Sequence, residues 1–119
     1  MRKTEQVYRG NEWVFDINIV DPSTGSAMDC TGLDSVMVVK RRNAVSAPEI
    51  VSKYISWVDN NPANGVGYYV FNPVLTRDVR PGVYHYEVYL VSDTGYYIET
   101  LEKGKLRVLP TLRQVVTAR

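Results

Sequence analysis

The side chains that could do chemistry are few, and the strands they lie on decide how each is read. His85 is the only imidazole among 119 residues, and Glu87 follows it by two. On a strand, residues two apart share a face, so Val83, His85, Glu87 and Tyr89 oppose Tyr84, Tyr86, Val88 and Leu90. If the tyrosine face turns to the core, His85 and Glu87 point outward, and an exposed strand histidine is the expectation. Nucleophilic catalysis needs a base beside Ser or Cys, and His85 is the single imidazole that could serve. A metal centre needs three or four converging ligands, and one His with one Cys leaves only carboxylates to complete it. The 13 acidic residues leave many carboxylate pairings open. No Gly-rich phosphate cradle, His-Glu-x-x-His or Cys-x-x-Cys pattern is present. The expectation is a chain that is not an enzyme and carries no cofactor or metal.

Cys30 is the lone cysteine. It cannot close an intrachain disulfide, and nothing beside it is built to lower a thiol pKa, so it reads as a small buried residue. Lys40-Arg41-Arg42 is the one basic run. It reads as a solvated strand end, with an anionic partner surface as the alternative. Two adjacent pairs, Tyr68-Tyr69 and Tyr96-Tyr97, put one ring of each pair on either face of a strand. Tyr69 and Tyr97 are taken as the outward members, able to anchor a protein interface or stack on a sugar; the plain alternative is cross-strand packing.

The elements that hold these residues are strands. Nineteen Val, 5 Ile and 8 Thr stand against 7 Leu and 5 Ala, and Cβ-branched side chains favour a pleated sheet over a helix. Residues 12–20 alternate cleanly, with Trp13, Phe15, Ile17 and Ile19 on one face and Asp16 and Asn18 on the other. Asp21-Pro22-Ser23-Thr24-Gly25 ends that strand in a turn. Residues 33–42 are apolar on both faces, which predicts a central strand covered on both sides, or packed on a partner. A strand over 50–58 sets Val51, Ile55 and Trp57 against Ser52, Tyr54 and Ser56. The dense turn signal of residues 59–65 follows, then a short aromatic strand at 66–71. Residues 73–80 hold one helical turn closed by Pro81-Gly82. Strands at 83–91 and 96–101 form a hairpin, and 105–109 is the last strand, ended by Pro110. Seven or eight short strands without a helix of ten residues predict an all-β antiparallel sandwich.

The stretch from Thr76 through Pro81-Gly82-Val83-Tyr84-His85-Tyr86-Glu87-Val88, Asp93-Thr94-Gly95 and Leu101-Glu102-Lys103-Gly104-Lys105-Leu106-Arg107-Val108 carries a resemblance. With Arg9-Gly10 and Asp29-Cys30-Thr31-Gly32 upstream, it resembles the small immunoglobulin-like domains of tailed-bacteriophage virions, such as the N-terminal domain of upper baseplate proteins. The likeness runs over residues 9–108. Asn11 stands where such domains often have Asp, Cys30 replaces a usual Leu, and Glu87 replaces Asp. Each motif also has a structural cause: Pro81-Gly82 before Tyr84 suits a tyrosine corner, Gly95 a hairpin turn, and Gly104 a bend between strands.

The resemblance implies an immunoglobulin-like sandwich over 9–109, flanked by short arms at 1–8 and 110–119. It implies a non-enzymatic structural role in a virion, as head decoration, neck or tail and baseplate component. The partners would be other virion proteins and further copies of the chain, after synthesis in the host bacterial cytoplasm. The arm residues Arg2, Lys3, Leu112, Arg113, Val115 and Val116 are expected to make the contacts, together with Tyr69 and Tyr97. The alternative is a carbohydrate-binding or host-attachment module using exposed aromatics. A formal charge of +1 argues against a dedicated nucleic-acid binder, whose affinity rests on basic excess. No apolar run approaches the roughly 20 residues of a membrane helix, and the N-terminus lacks an apolar leader core.

Overall fold

The computed structural model describes residues 4–44 and 46–111. Eight strands build two sheets: β1 (Thr4–Tyr8), β2 (Trp13–Asn18), β3 (Leu33–Lys40), β4 (Glu49–Tyr54), β5 (Ser56–Trp57), β6 (Val66–Phe71), β7 (Gly82–Ser92) and β8 (Tyr97–Leu109). One sheet has the order β1-β8-β7-β3-β4 and the other β2-β6-β5. The architecture is the expected all-β sandwich, in the strand order of a variable-type immunoglobulin domain. It is mixed rather than wholly antiparallel, because β1 runs parallel to β8, Thr4 pairing with Lys105 and Tyr8 with Leu109.

That pairing revises the expected N-terminal arm. Residues 4–8 are an edge strand of the domain itself, and Arg9 N donates to Leu109 O at 3.0 Å to close the ladder. The remainder of that arm, and residues 112–119, lie outside the described residues.

The core sits between the sheets. Trp13, Tyr69 and Phe71 come from the three-stranded sheet, and Met37, Val39, Tyr84, Tyr86, Val88, Leu106 and Val108 from the other. The Phe71 ring meets Trp13 at 6.0 Å and Phe15 edge-on at 5.9 Å, geometries that aromatic quadrupoles favour over a stacked sandwich. Cys30 is buried with Ile19 and Leu90 in a neighbouring cluster, as its sequence context implied, and burial pushes its thiol pKa up.

Several local readings hold. Gly25 adopts φ +72° and its amide bonds to Asp21 O at 2.7 Å, making the predicted turn. Pro73–Thr76 is one helical turn, α1, capped by the Asn72 side chain on Leu75 N at 3.1 Å. Tyr84 is a tyrosine corner, its hydroxyl donating to Arg80 O at 2.6 Å.

Two readings do not hold. Residues 50–58 alternate as expected but are not one strand: β4 lies in the large sheet and β5 in the small one. The chain crosses at Ile55, which is buried and bonds through its amide to Ser35 O at 2.8 Å. Residues 97–109 are a single 13-residue strand with no break at Gly104. Gly104 is the cross-strand partner of Tyr86, so the missing side chain gives space beside a buried ring rather than a bend.

Candidate functional site

A trough of about 560 Å³ lies on the outer face of the five-stranded sheet. It exists because β3 and β7 carry large side chains on both faces. Met37 and Val39 enter the main core, while Val36 and Val38 form a second apolar cluster with Val91 and the half-buried Tyr89. One side is walled by residues 42–44 of the loop after β3. Cross-strand register then lays out the polar groups in rows: Lys40, His85 and Lys105 in one, and Val38, Glu87 and Lys103 in the next. Glu49 adds a second carboxylate to the lining and Arg42 a third cation beside Lys40 and Lys103.

His85 and Glu87 therefore do face away from the core, on the face opposite Tyr84 and Tyr86. His85 is half-buried in the trough rather than openly exposed. Glu87 accepts a hydrogen bond from the Thr100 hydroxyl. Neither Ser nor Cys is among the residues that line the trough. Among the described residues, no group of three His, Cys, Asp or Glu side chains is placed to share a metal ion. An apolar floor ringed by charges of both signs is suited to holding a polar partner in a defined register.

The basic run is divided by the strand end. Lys40 and Arg42 line the trough. Arg41 instead stacks over the Tyr84 ring at 5.1 Å and donates from Nη2 to the Tyr84 hydroxyl at 3.3 Å, a cation–π contact that ties it to the tyrosine corner.

The tyrosines sort differently from expectation. Tyr69 is 1% exposed. Its hydroxyl lies 2.6 Å from Ser35 Oγ, which in turn donates to Tyr89 O at 3.0 Å. Tyr69 is thus a core residue linking β6 to β3 across the sandwich, not an outward contact. The physical reason is register: Tyr69 pairs with Phe15, whose face is the core face of β2, so Tyr68 takes the outer position. Burial holds the Tyr69 phenol well above its ordinary pKa. Tyr97 pairs with Val91 at the start of β8, and its side chain lies outside the described residues. Among the described residues, the rings most open to solvent are Tyr96, 75% exposed at the β7–β8 hairpin, and Tyr54, 56% exposed on the edge strand β4. Tyr54 had a signal in the alternation of residues 50–58, which set it opposite Val51 and Ile55. Arg2, Lys3, Leu112, Arg113, Val115 and Val116 lie outside the described residues.

A second cleft, of about 290 Å³, opens between the two sheets on the side where β1 and β2 form the edges. Phe15, Ile17, Met37, Tyr69, Tyr86 and Val88 supply its interior, and Glu5, Asp16 and Glu102 its carboxylates. The Tyr86 hydroxyl donates to Glu102 Oε2 at 2.6 Å.

Among the described residues, no helix is long and apolar enough to cross a membrane. No protein-family model matches the chain, and no curated protein matches it significantly in sequence. In structure it is similar to the N-terminal domain of phage TP901-1 ORF48, with a TM-score of 0.56 and 16% identity over 89% of this chain and 84% of that one. It is also similar to the NK cell receptor Nkp44, with a TM-score of 0.50 and 14% identity over 92% of this chain and 99% of that one. At these identities the likeness is one of fold, and the fold they share with this chain is the two-sheet sandwich.

Proposed function

We propose that the chain is a non-enzymatic structural module of a tailed-phage particle that acts through subunit–subunit contacts. The observation that carries this reading is the near end-to-end correspondence with a phage domain, 89% of one chain on 84% of the other. The surface is compatible with assembly: Tyr8, Val14, Val83, Tyr96 and Ile98 are all exposed large apolar side chains, and such groups drive association when a partner covers them. In this reading the chain is made in the host cytoplasm and resides in the virion as a head-decoration, neck or tail and baseplate component. Its partners are other virion proteins and further copies of itself.

The test is peptide mass spectrometry on density-purified particles of the phage that encodes the chain. A fixed copy number per particle, surviving a high-salt wash, is the expected result. Its absence from infectious particles would overturn the reading. A second reading, a glycan-binding or host-attachment module, draws on the exposure of Tyr54 and Tyr96, since an open phenol ring can stack on a sugar. Saturable glycan binding that is lost in Tyr96→Ala or Tyr54→Ala would favour it over the structural role.

A further inference from the structure

The sandwich sorts its charges to its two ends. One end is built from residues 19–34, 56–66 and 91–99: Ile19 N donates to Gly65 O at 2.7 Å, Cys30 N to Pro62 O at 2.9 Å, and Leu33 pairs with Ser92. These segments hold Asp21, Asp29, Asp34, Asp59, Asp93 and Glu99, and no Lys or Arg. Hydrogen bonds from Ser23 and Thr31 hold the Asp21 and Asp29 carboxyls below their ordinary pKa, so both are charged at neutral pH. The other end gathers residues 8–12, 40–44, 46–49, 72–83 and 107–110. There Tyr8 pairs with Leu109, Arg9 Nε donates to Arg77 O at 2.6 Å, and Tyr84 joins Arg41 to the Arg80 carbonyl. Every arginine among the described residues lies at this end: Arg9, Arg41, Arg42, Arg77, Arg80 and Arg107. With Lys40 they make seven cations against three carboxylates, Glu12, Glu49 and Asp78.

Exposed apolar side chains accompany both charges. Val20, Val58, Tyr96 and Ile98 belong to the acidic end, and Tyr8, Val74 and Val83 to the basic one. β7 runs from one end to the other, a distance of about 33 Å for its length. That is several times the Debye length of about 8 Å at physiological ionic strength, so the two ends do little to neutralise each other within one molecule. We propose that the acidic end of one copy docks on the basic end of the next, joining copies of the chain head to tail.

A second copy is the partner because one chain carries both complementary surfaces. Asp59, Asp93 and Glu99 are exposed at one end, and Arg42, Arg80 and Arg107 at the other. Guanidinium and carboxylate make charge-assisted, often bidentate hydrogen bonds, while the apolar side chains beside them supply area to remove from water. The same charges set the orientation. Two acidic ends, or two basic ends, repel each other when brought together, so a symmetric end-to-end pair is opposed and the head-to-tail contact is selected. Such a contact is heterologous: each copy uses one surface to hold its neighbour ahead and a different one to hold its neighbour behind. The inference rests on the assembly reading only in taking the chain to associate with its own copies, and it names the surfaces that meet.

The test is made in solution and without particles. Light scattering follows the mass of the full chain up to high micromolar concentration, at low salt and again at about 0.5 M, where charges are screened beyond a few ångströms. The expected mass rises with concentration at low salt and falls back towards the monomer at high salt. Two double variants change one end each: Asp93→Lys with Glu99→Lys, and Arg80→Glu with Arg107→Glu. All four side chains are exposed, and a thermal melt checks that each protein is folded; Glu99→Gln and Arg107→Gln replace a pair that is not. Each pair alone should weaken association by at least about tenfold, or 1.4 kcal/mol. Mixed together, the two variants still offer one native acidic end and one native basic end, and should form a 1:1 pair that grows no further. A parent chain that is monomeric at low salt overturns the inference. So does association that is indifferent to salt, that is lost on changing only one of the two ends, or that mixing does not restore. Particles that contain the chain while the isolated chain is monomeric would sink this inference and leave the assembly reading standing. Head-to-tail association of a chain absent from particles would do the reverse.

Discussion

Removing the Tyr69 hydroxyl tests whether this residue is a structural link between the sheets or a contact for partners. Tyr69 and Ser35 are 1% and 0% exposed, their oxygens are 2.6 Å apart, and Ser35 also bonds Tyr89 O at 3.0 Å. If the serine hydroxyl donates to that carbonyl, the phenol must donate to Ser35 Oγ. Tyr69→Phe then deletes one hydrogen bond and strands no donor, a net loss of about 1 kcal/mol. Ser35→Ala is the harsher change, because it leaves a buried phenolic O–H with no acceptor, at a cost of about 2–3 kcal/mol. The double variant should be close to Ser35→Ala alone or slightly better, giving a coupling near 1 kcal/mol between the two sites. In a domain of this size each kcal/mol moves Tm by about 3–5 °C. Urea unfolding followed by tryptophan fluorescence reads all four proteins, and light scattering reads their assembly. Additive losses, or a Tyr69→Phe variant as stable as the parent, would refute the link. A Tyr69→Phe protein of unchanged stability but altered assembly would restore the residue to the surface role that its position beside Tyr68 first suggested.

The remaining predictions concern backbone, corner and pH. Gly65 has φ +65°, and a Cβ there would lie 2.6 Å from Ile19 O and 2.7 Å from Met28 O; Gly65→Ala should cost more than about 3 kcal/mol, seen as loss of a cooperative melt or of soluble protein. Gly95, at φ +91° with open space around it, should lose only about 1 kcal/mol as Gly95→Ala; equal losses at the two glycines would contradict the crowding argument. Tyr84→Phe removes the bond to Arg80 O while keeping the ring beneath Arg41, and should lower stability by about 1–2 kcal/mol in urea. Tyr69 and Tyr86 titrate above their ordinary value of 10, first because of burial. A folded pKa above the unfolded one means the unfolded chain releases protons that the fold retains. This stability is therefore complete below pH 10 and falls as pH rises from there towards the folded value. Unfolding free energy should decline above about pH 10, less steeply in Tyr69→Phe, and a parallel decline in both proteins would count against the assignment.

Much of the fold is legible in the residues taken singly. Period-2 alternation with Trp13, Phe15, Ile17 and Ile19 on one side determines that β2 has a core face, because successive strand side chains must point opposite ways. The Asp21–Gly25 turn, the capped turn at residues 72–76 and the Tyr84 corner are likewise local chemistry, fixed by groups within a few residues of each other. The burial of Cys30 and the outward direction of His85 follow from the same short-range rules. What those rules leave open is which strand lies beside which. Alternation over residues 50–58 reads the same whether the chain stays in one sheet or crosses to the other at Ile55. Gly104 reads as a bend until its partner across the ladder is known to be Tyr86. The choice between Tyr68 and Tyr69 is a one-residue question of register, and a one-residue shift exchanges the two faces of a strand; pairing with Phe15 settles it. The trough around His85 and the cleft beside β2 are likewise products of tertiary structure alone, since each gathers side chains from at least three strands far apart in the chain. Local propensity acts over a few residues, whereas register and sheet partnership are set by burial summed over the whole sandwich.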